Sequence, residues 1–181
     1  MKKAIVIHGW DQRPEQEWLP WLGEELESNG WEVELPTMPS AAMPKLDEWM
    51  EKLVSLNPDE NTILVGHSLA NALIMKYLER NGVSLKAVFL VAAWDYLLPD
   101  LAKEHGTFFR NGFDYNVIKD KQIPITIIQS TNDPYLDFNK AKGLADKLGA
   151  VFIGVENAGH FGERDGYKDF PQLLKLIEKL T

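Results

Sequence analysis

TILVGHSLANAL, residues 62–73, carries an apolar run rich in β-branched side chains straight into Gly66-His67-Ser68-Leu69-Ala70 and on into helix-forming residues. The pattern predicts a strand, a tight turn bearing a serine, and a helix. Such a turn, a nucleophile elbow, needs small residues two positions to either side of the serine, so that strand and helix approach each other while the hydroxyl is pushed out above the sheet. Gly66 and Ala70 occupy those positions, Ala70 standing where the usual pattern has glycine. Gly-x-Ser alone is short enough to arise by chance, so its weight depends on partners elsewhere in the chain.

An elbow serine works with a histidine as general base and a carboxylate that orients it, in the chain order Ser, Asp, His for this kind of fold. Both follow in that order. Asp133, in STNDPY, comes directly after the apolar run IPITIIQ, and His160, in NAGHFG, lies in a glycine-flanked loop after AVFIGV. In an open parallel sheet the carboxyl ends of the strands share one rim, where sites form. Three loops are therefore expected to bring Ser68, Asp133 and His160 together. Each alone has a plainer role: Ser68 as a helix N-cap, Asp133 before Pro134 as a turn residue, His160 as a loop histidine. Their order on strand ends favours the catalytic assignment. Asp95, which closes VFLVAAWD on the same rim, is the rival acid. Asp133 is preferred because its strand comes one later and its loop leads towards the histidine loop.

Working outward, short apolar runs alternate with longer helical patterns: AIVIH, WEVEL, TILVG, KAVFLVAA, IPITIIQ and AVFIGV read as six strands. This alternation predicts an α/β fold, a parallel sheet with helices on both faces, built as one domain over residues 1–181. Runs such as VFLVAA and ITII suit strands buried on both faces. Gly30, Gly82 and Gly149 fall where helices should stop, and Leu69, Ala72, Leu73, Met75, Tyr77 and Leu78 are expected in the core. The longest stretch without a strand, residues 94–120, leaves a strand end beside the expected site, and a short helical cap is predicted there. Its aromatics Phe108, Phe109, Phe113 and Tyr115 either line the pocket or dock the segment onto the core.

A serine hydroxyl is a poor nucleophile at neutral pH, so Ser68 needs His160 to accept its proton, while Asp133 holds the imidazole in the right tautomer. The oxyanion of a tetrahedral intermediate needs backbone donors. Leu69 N–H, just after the nucleophile, is one, and Trp10 N–H, in His8-Gly9-Trp10 after the first strand, is assigned as the second. His8 is assigned a structural role in preference to one of orienting that loop. His67 shapes the elbow, and His105 has no assigned role.

Composition removes other classes. With 27 acidic against 19 basic residues the net charge is −8, which argues against a nucleic-acid partner. No stretch approaches the ~20 apolar residues of a membrane span, and the apolar run of MKKAIVIHGW is too short for a secretory signal, which makes the cytoplasm the default location. There is no cysteine, hence no disulfide, thiolate metal site or cysteine nucleophile. The first strand runs into HGW rather than a dinucleotide fingerprint, there is no phosphate-binding loop, and the four histidines show no i, i+4 metal pair. No cofactor or metal is expected.

Six segments together, HGW at 8–10, WLPWL at 18–22, LPTMP at 35–39, GHSLA at 66–70, STNDPY at 130–135 and NAGHFG at 157–162, resemble the α/β-hydrolases, and more closely the small serine hydrolases related to retinoblastoma-binding protein 9. The resemblance runs nearly end to end. It implies a minimal α/β-hydrolase fold without a large lid domain, with Ser68 as nucleophile, Asp133 as acid and His160 as base. The retinoblastoma-protein-binding motif, Leu-x-Cys-x-Glu, requires a cysteine, so that partner is not expected here. The resulting expectation is a serine hydrolase that cleaves small carboxylic esters, with thioesters or amides as variants, through an acyl-enzyme on Ser68. The alternative is a non-catalytic binding module that keeps the fold.

Overall fold

In a computed structural model, which describes residues 1–180, the central strands are β1 (Lys3–Ile7), β3 (Thr62–His67), β4 (Ala87–Val91) and β5 (Ile125–Ser130). Two short strands, β2 (Glu32–Glu34) and β6 (Val151–Val155), form the edges. The order is β2-β1-β3-β4-β5-β6 and every neighbouring pair is parallel, so the six-stranded parallel sheet follows the sequence pattern. The apolar runs of β1, β3, β4 and β5 are almost wholly buried, while the edge strands are partly open to solvent, as strands covered on both faces should be.

Among the described residues there are seven α-helices, six between strands and the last after β6: α1 (Leu19–Ser28), α2 (Leu46–Ser55), α3 (Ala70–Arg80), α4 (Ala102–Phe109), α5 (Tyr115–Asp120), α6 (Phe138–Leu148) and α7 (Pro171–Glu178). Helices α5 and α6 start on Asp114 and Asp137, whose carboxylates accept from Val117 N–H and Lys140 N–H. Prolines open α1 and α7, where the missing N–H is no loss. The chain leaves β1 in one direction to reach β2 and returns across it to β3. With right-handed crossovers this puts α1 on one face, where α7 packs against it, and α2 to α6 on the other. The reversal opens a crevice between the carboxyl ends of β1 and β3, where the His8-Gly9-Trp10 loop meets the elbow.

Two expectations change. Gly30 and Gly149 take left-handed conformations after α1 and α6, but Gly82 does not. Helix α3 ends instead at an extended Asn81, whose side chain donates to the Tyr77 carbonyl at 3.0 Å. Helix α3 is also buried all round from Ala70 to Leu78 rather than along one stripe. The reason is the segment after β4, whose helices α4 and α5 both pack on α3. Lys76, 3% exposed, places its ammonium on the Gly112 carbonyl and on Glu79, over the Phe113 ring. Phe108, Phe109 and Phe113 are buried, Phe109 stacked on Trp94, so of the two roles foreseen for these rings they take the docking one.

The elbow is tied to β4 by Asn71, whose amide donates to the carbonyls of Val91 at 2.6 Å and Ala92 at 3.2 Å. Gly66 is required below it, since a Cβ there would sit 2.6 Å from Asn71 Oδ1 and 2.8 Å from Ile74 Cδ1. Asn71→Ala removes both donors from a buried site and is expected to cost roughly 1–3 kcal/mol. Urea unfolding monitored by circular dichroism checks this, and a loss under about 0.5 kcal/mol would show that the tie contributes nothing.

Candidate active site

Ser68 sits between β3 and α3 in a left-handed conformation, φ 55°, its N–H donating to the Val91 carbonyl at 2.9 Å. A side chain is rarely held there without compensation. Gly9 allows the loop after β1 to come up against it, because a Cβ on Gly9 would lie 3.0 Å from Ser68 Cβ. The hydroxyl oxygen lies 3.0 Å from His160 Nε2, and His160 Nδ1 lies 2.8 Å from Asp133 Oδ2. The three residues expected on one rim are thus joined by hydrogen bonds. Asp95 is engaged elsewhere: its Oδ2 accepts from Tyr115 Oη–H and from Lys147 Nζ, each at 2.6 Å.

The Asp133 side chain is fully buried and both its oxygens are used. Oδ1 accepts from Tyr135 N–H at 2.9 Å and Leu136 N–H at 3.1 Å, and Oδ2 accepts from the Gln129 amide at 3.2 Å besides His160. With Nδ1–H donating to the carboxylate, Nε2 carries the lone pair that faces the serine hydroxyl.

The histidine loop is held by the polar residues preceding Asp133. Ser130 Oγ accepts from Ala158 N–H at 3.0 Å, Thr131 Oγ1 from Asn157 N–H at 3.2 Å, and Asn132 Oδ1 from Gly159 N–H at 2.8 Å. Asp165 accepts from His160 N–H at 2.9 Å, packed so closely on Gly159 that a Cβ there would meet its carboxylate at 2.1 Å. Beyond it Phe161 stacks on Phe170, which packs edge-on against Trp18.

His67 does more than shape the elbow. Both its ring nitrogens face acceptors, Nε2 the His160 carbonyl at 2.9 Å and Nδ1 the Gln12 amide oxygen at 3.1 Å, so the neutral ring donates to one of them. The Gln12 oxygen accepts from Gly9 N–H at 2.8 Å. Gln12 and His67 therefore bring the loop after β1 against the histidine loop, a contact that sequence reasoning missed because Gln12 belongs to no local pattern and His67 reads only as part of the elbow. Burial, reinforced by the nearby His160, pushes the His67 imidazole down to about 3. His8 combines the two roles weighed for it. Its Nε2 accepts from Met38 N–H at 3.0 Å, so the proton is on Nδ1, which donates to the Gly9 carbonyl at 2.9 Å and orients the loop. Burial lowers its pKa too.

Trp10 is anchored by its indole N–H on the Ala42 carbonyl at 3.0 Å. Among the described residues, neither Trp10 N–H nor Leu69 N–H has a hydrogen-bond partner. A cavity of about 550 Å³ opens beside Ser68 and His160, walled by apolar side chains including Trp10, Trp94, Leu98, Leu101 and Leu136. Tyr135, two-thirds exposed, sets its ring edge-on to His160 at 5.1 Å on the outer side. No group of three or more metal-ligating side chains occurs among the described residues, and no helix among them is long and apolar enough to cross a membrane.

Comparison with known proteins agrees in fold and family. A family model described as serine hydrolase matches residues 4–179. The YdeN protein of Bacillus subtilis strain 168 is 30% identical over 180 residues, covering 97% of this chain and 94% of its own. Its crystal structure superposes with a TM-score of 0.92 over 99% of this chain and 98% of that one, at 28% identity. Serine hydrolase RBBP9 of Rattus norvegicus is 26% identical over 182 residues, covering 98% of this chain and 95% of its own. The fold is that of the α/β-hydrolases.

The neutral His67 makes a pH prediction. Its pKa is about 3 folded against 6.5 as the ordinary value, so between these pH values the unfolded chain binds a proton that the folded chain refuses. Its contribution to stability is complete above about pH 6.5 and is lost as pH falls towards 3. Urea midpoints at pH 7, 5 and 4 should fall progressively, and His67→Gln should flatten the slope. Parallel losses in wild type and variant would refute the assignment.

Proposed function

The chain belongs to the serine hydrolase family, and from that premise we propose that it hydrolyses small carboxylic esters through an acyl-enzyme on Ser68. The observation that carries the proposal is the unbroken chain of hydrogen bonds from Ser68 Oγ through His160 to a buried Asp133. Ser68 Oγ attacks the ester carbonyl as His160 Nε2 takes its proton, and the oxyanion formed is held by Trp10 N–H and Leu69 N–H. The intermediate collapses with the C–O bond to the alcohol breaking and the proton passing from His160 to the leaving oxygen. A water then repeats both steps, releasing the acid and restoring Ser68. Asp133 stays ionised throughout, fixing the tautomer and stabilising the imidazolium.

The two unpartnered N–H groups support the oxyanion assignment, and the cavity of about 550 Å³ has room for a small ester. No lysine or arginine lines it to hold an acidic substrate.

Two measurements test this. Intact-mass analysis after treatment with a fluorophosphonate should show a single adduct that is absent in Ser68→Ala and forms at least ~100-fold more slowly in His160→Ala. No adduct under conditions that label a control hydrolase would favour a binding module. With p-nitrophenyl esters, kcat/KM should be highest at two to four acyl carbons and at least about tenfold lower for palmitate. A clear preference for palmitate would reject the short-acyl assignment.

A further inference from the structure

The wall of the cavity beside Ser68 mixes apolar side chains with Gln12, Asp100 and Tyr135, and it includes two residues whose buried polar atoms are unmatched. Among the described residues, six buried side-chain nitrogen or oxygen atoms have no hydrogen-bond partner, and half of them belong to two residues that line this cavity: Trp94 Nε1 and both ring nitrogens of His105, each just beneath its surface. The other three, on Trp18, Asn71 and Gln129, belong to residues that do not line it. His105 is 2% exposed, presented from α4, with its ring 5.0 Å from Trp10 and 6.2 Å from Trp94.

The other three histidines show how unusual this is. In His8, His67 and His160 each ring nitrogen lies within hydrogen-bonding distance of a polar atom. Only His105 has none. Leaving a buried polar group unmatched costs roughly 1–3 kcal/mol, so a ring needed merely to fill space here would be better supplied by phenylalanine. Trp10, the other indole of the wall, already has its N–H on the Ala42 carbonyl. The unmatched groups are the ones left to meet a ligand.

We propose that His105 and Trp94 form a polar subsite in the acyl pocket that selects substrates carrying a hydroxyl on the acyl chain. The subsite rests on the ester hydrolysis proposed above. A neutral imidazole offers one N–H and one lone pair, and the indole offers one N–H. Burial lowers the His105 pKa and keeps the ring in that neutral form. A hydroxyl can accept from the indole N–H and either donate to or accept from whichever imidazole nitrogen faces the cavity. A carboxylate would enter a cavity lined by Asp100 and by no lysine or arginine, and an ammonium would face the indole N–H. The χ2 torsion of histidine is broad, so a small turn of the ring presents a nitrogen to the cavity.

The test is pH-stat hydrolysis of methyl butyrate, methyl 2-hydroxybutyrate, methyl 3-hydroxybutyrate and methyl 3-aminobutyrate. Wild type should favour at least one hydroxy ester over methyl butyrate by about tenfold or more in kcat/KM. His105→Phe and, independently, Trp94→Phe should bring that ratio to within about twofold of one, an effect on selectivity that a purely structural change would not give. If His105→Phe does not fold, the Trp94→Phe ratio decides. The proposal is overturned if no hydroxy ester is favoured, if the ratio survives the substitutions, or if the amino ester is preferred. Fluorophosphonate labelling of Ser68, run alongside, separates the two failures. Normal labelling without hydroxyl selectivity removes the subsite alone, whereas absent labelling in wild type removes the underlying reaction.

Discussion

The rest of the site depends on holding a serine in a left-handed conformation between a strand and a helix. For a residue with a Cβ that conformation costs on the order of 1–2 kcal/mol, and no single contact offsets it. Ser68 N–H is tied to the Val91 carbonyl, Asn71 clamps the same strand end from the first turn of α3, and Gly66 leaves room for that clamp. Ala92, next along β4, is itself left-handed at φ 54°. The strain is thus shared between two neighbouring strand ends locked to each other, and it keeps the hydroxyl above the sheet where helix geometry would otherwise bury it.

One residue type serves four purposes here, and its partners alone decide which. His160 lies between a carboxylate and a hydroxyl, a setting in which a proton can move. His8 lies between a backbone N–H and a carbonyl, which fix one tautomer and make it a rigid brace. His67 lies in the core between two loops and stays neutral. His105 faces a cavity among indoles with nothing to bond to. Nothing in the ring differs among the four.

What could be read from the sequence was what is written locally. Six apolar runs separated by helical patterns give the sheet because burial on both faces forces continuous hydrophobicity, and the elbow announces itself through small residues at fixed offsets from Ser68. The meeting of Ser68, Asp133 and His160 follows from parallel topology. The couplings that hold the site lie beyond local pattern. Gln12 reaches His67 across 55 positions, and Ser130 reaches Ala158 across 28. Gln12 stands outside any motif, and the place of Ser130 in STNDPY does not reveal what its hydroxyl will meet. The all-round burial of α3 was hidden for the same reason, since the segment that covers it arrives from 94–120, as was the orphaned state of His105, which is a property of its neighbours. The cap at Asn81 escaped because an amide did the work assigned to Gly82.

The hydrogen-bonded chain joins points 92 and 27 residues apart, from Ser68 to His160 and from His160 to Asp133. Its last link hangs on a loop whose anchors, Asp165 and Phe170, come later still. During vectorial synthesis the elbow is therefore made long before the loop that supplies its hydrogen-bonded histidine. The order of the strands separates in time two parts of one constellation, and a chain stalled between them would hold the strained turn with the Ser68 hydroxyl still unpartnered.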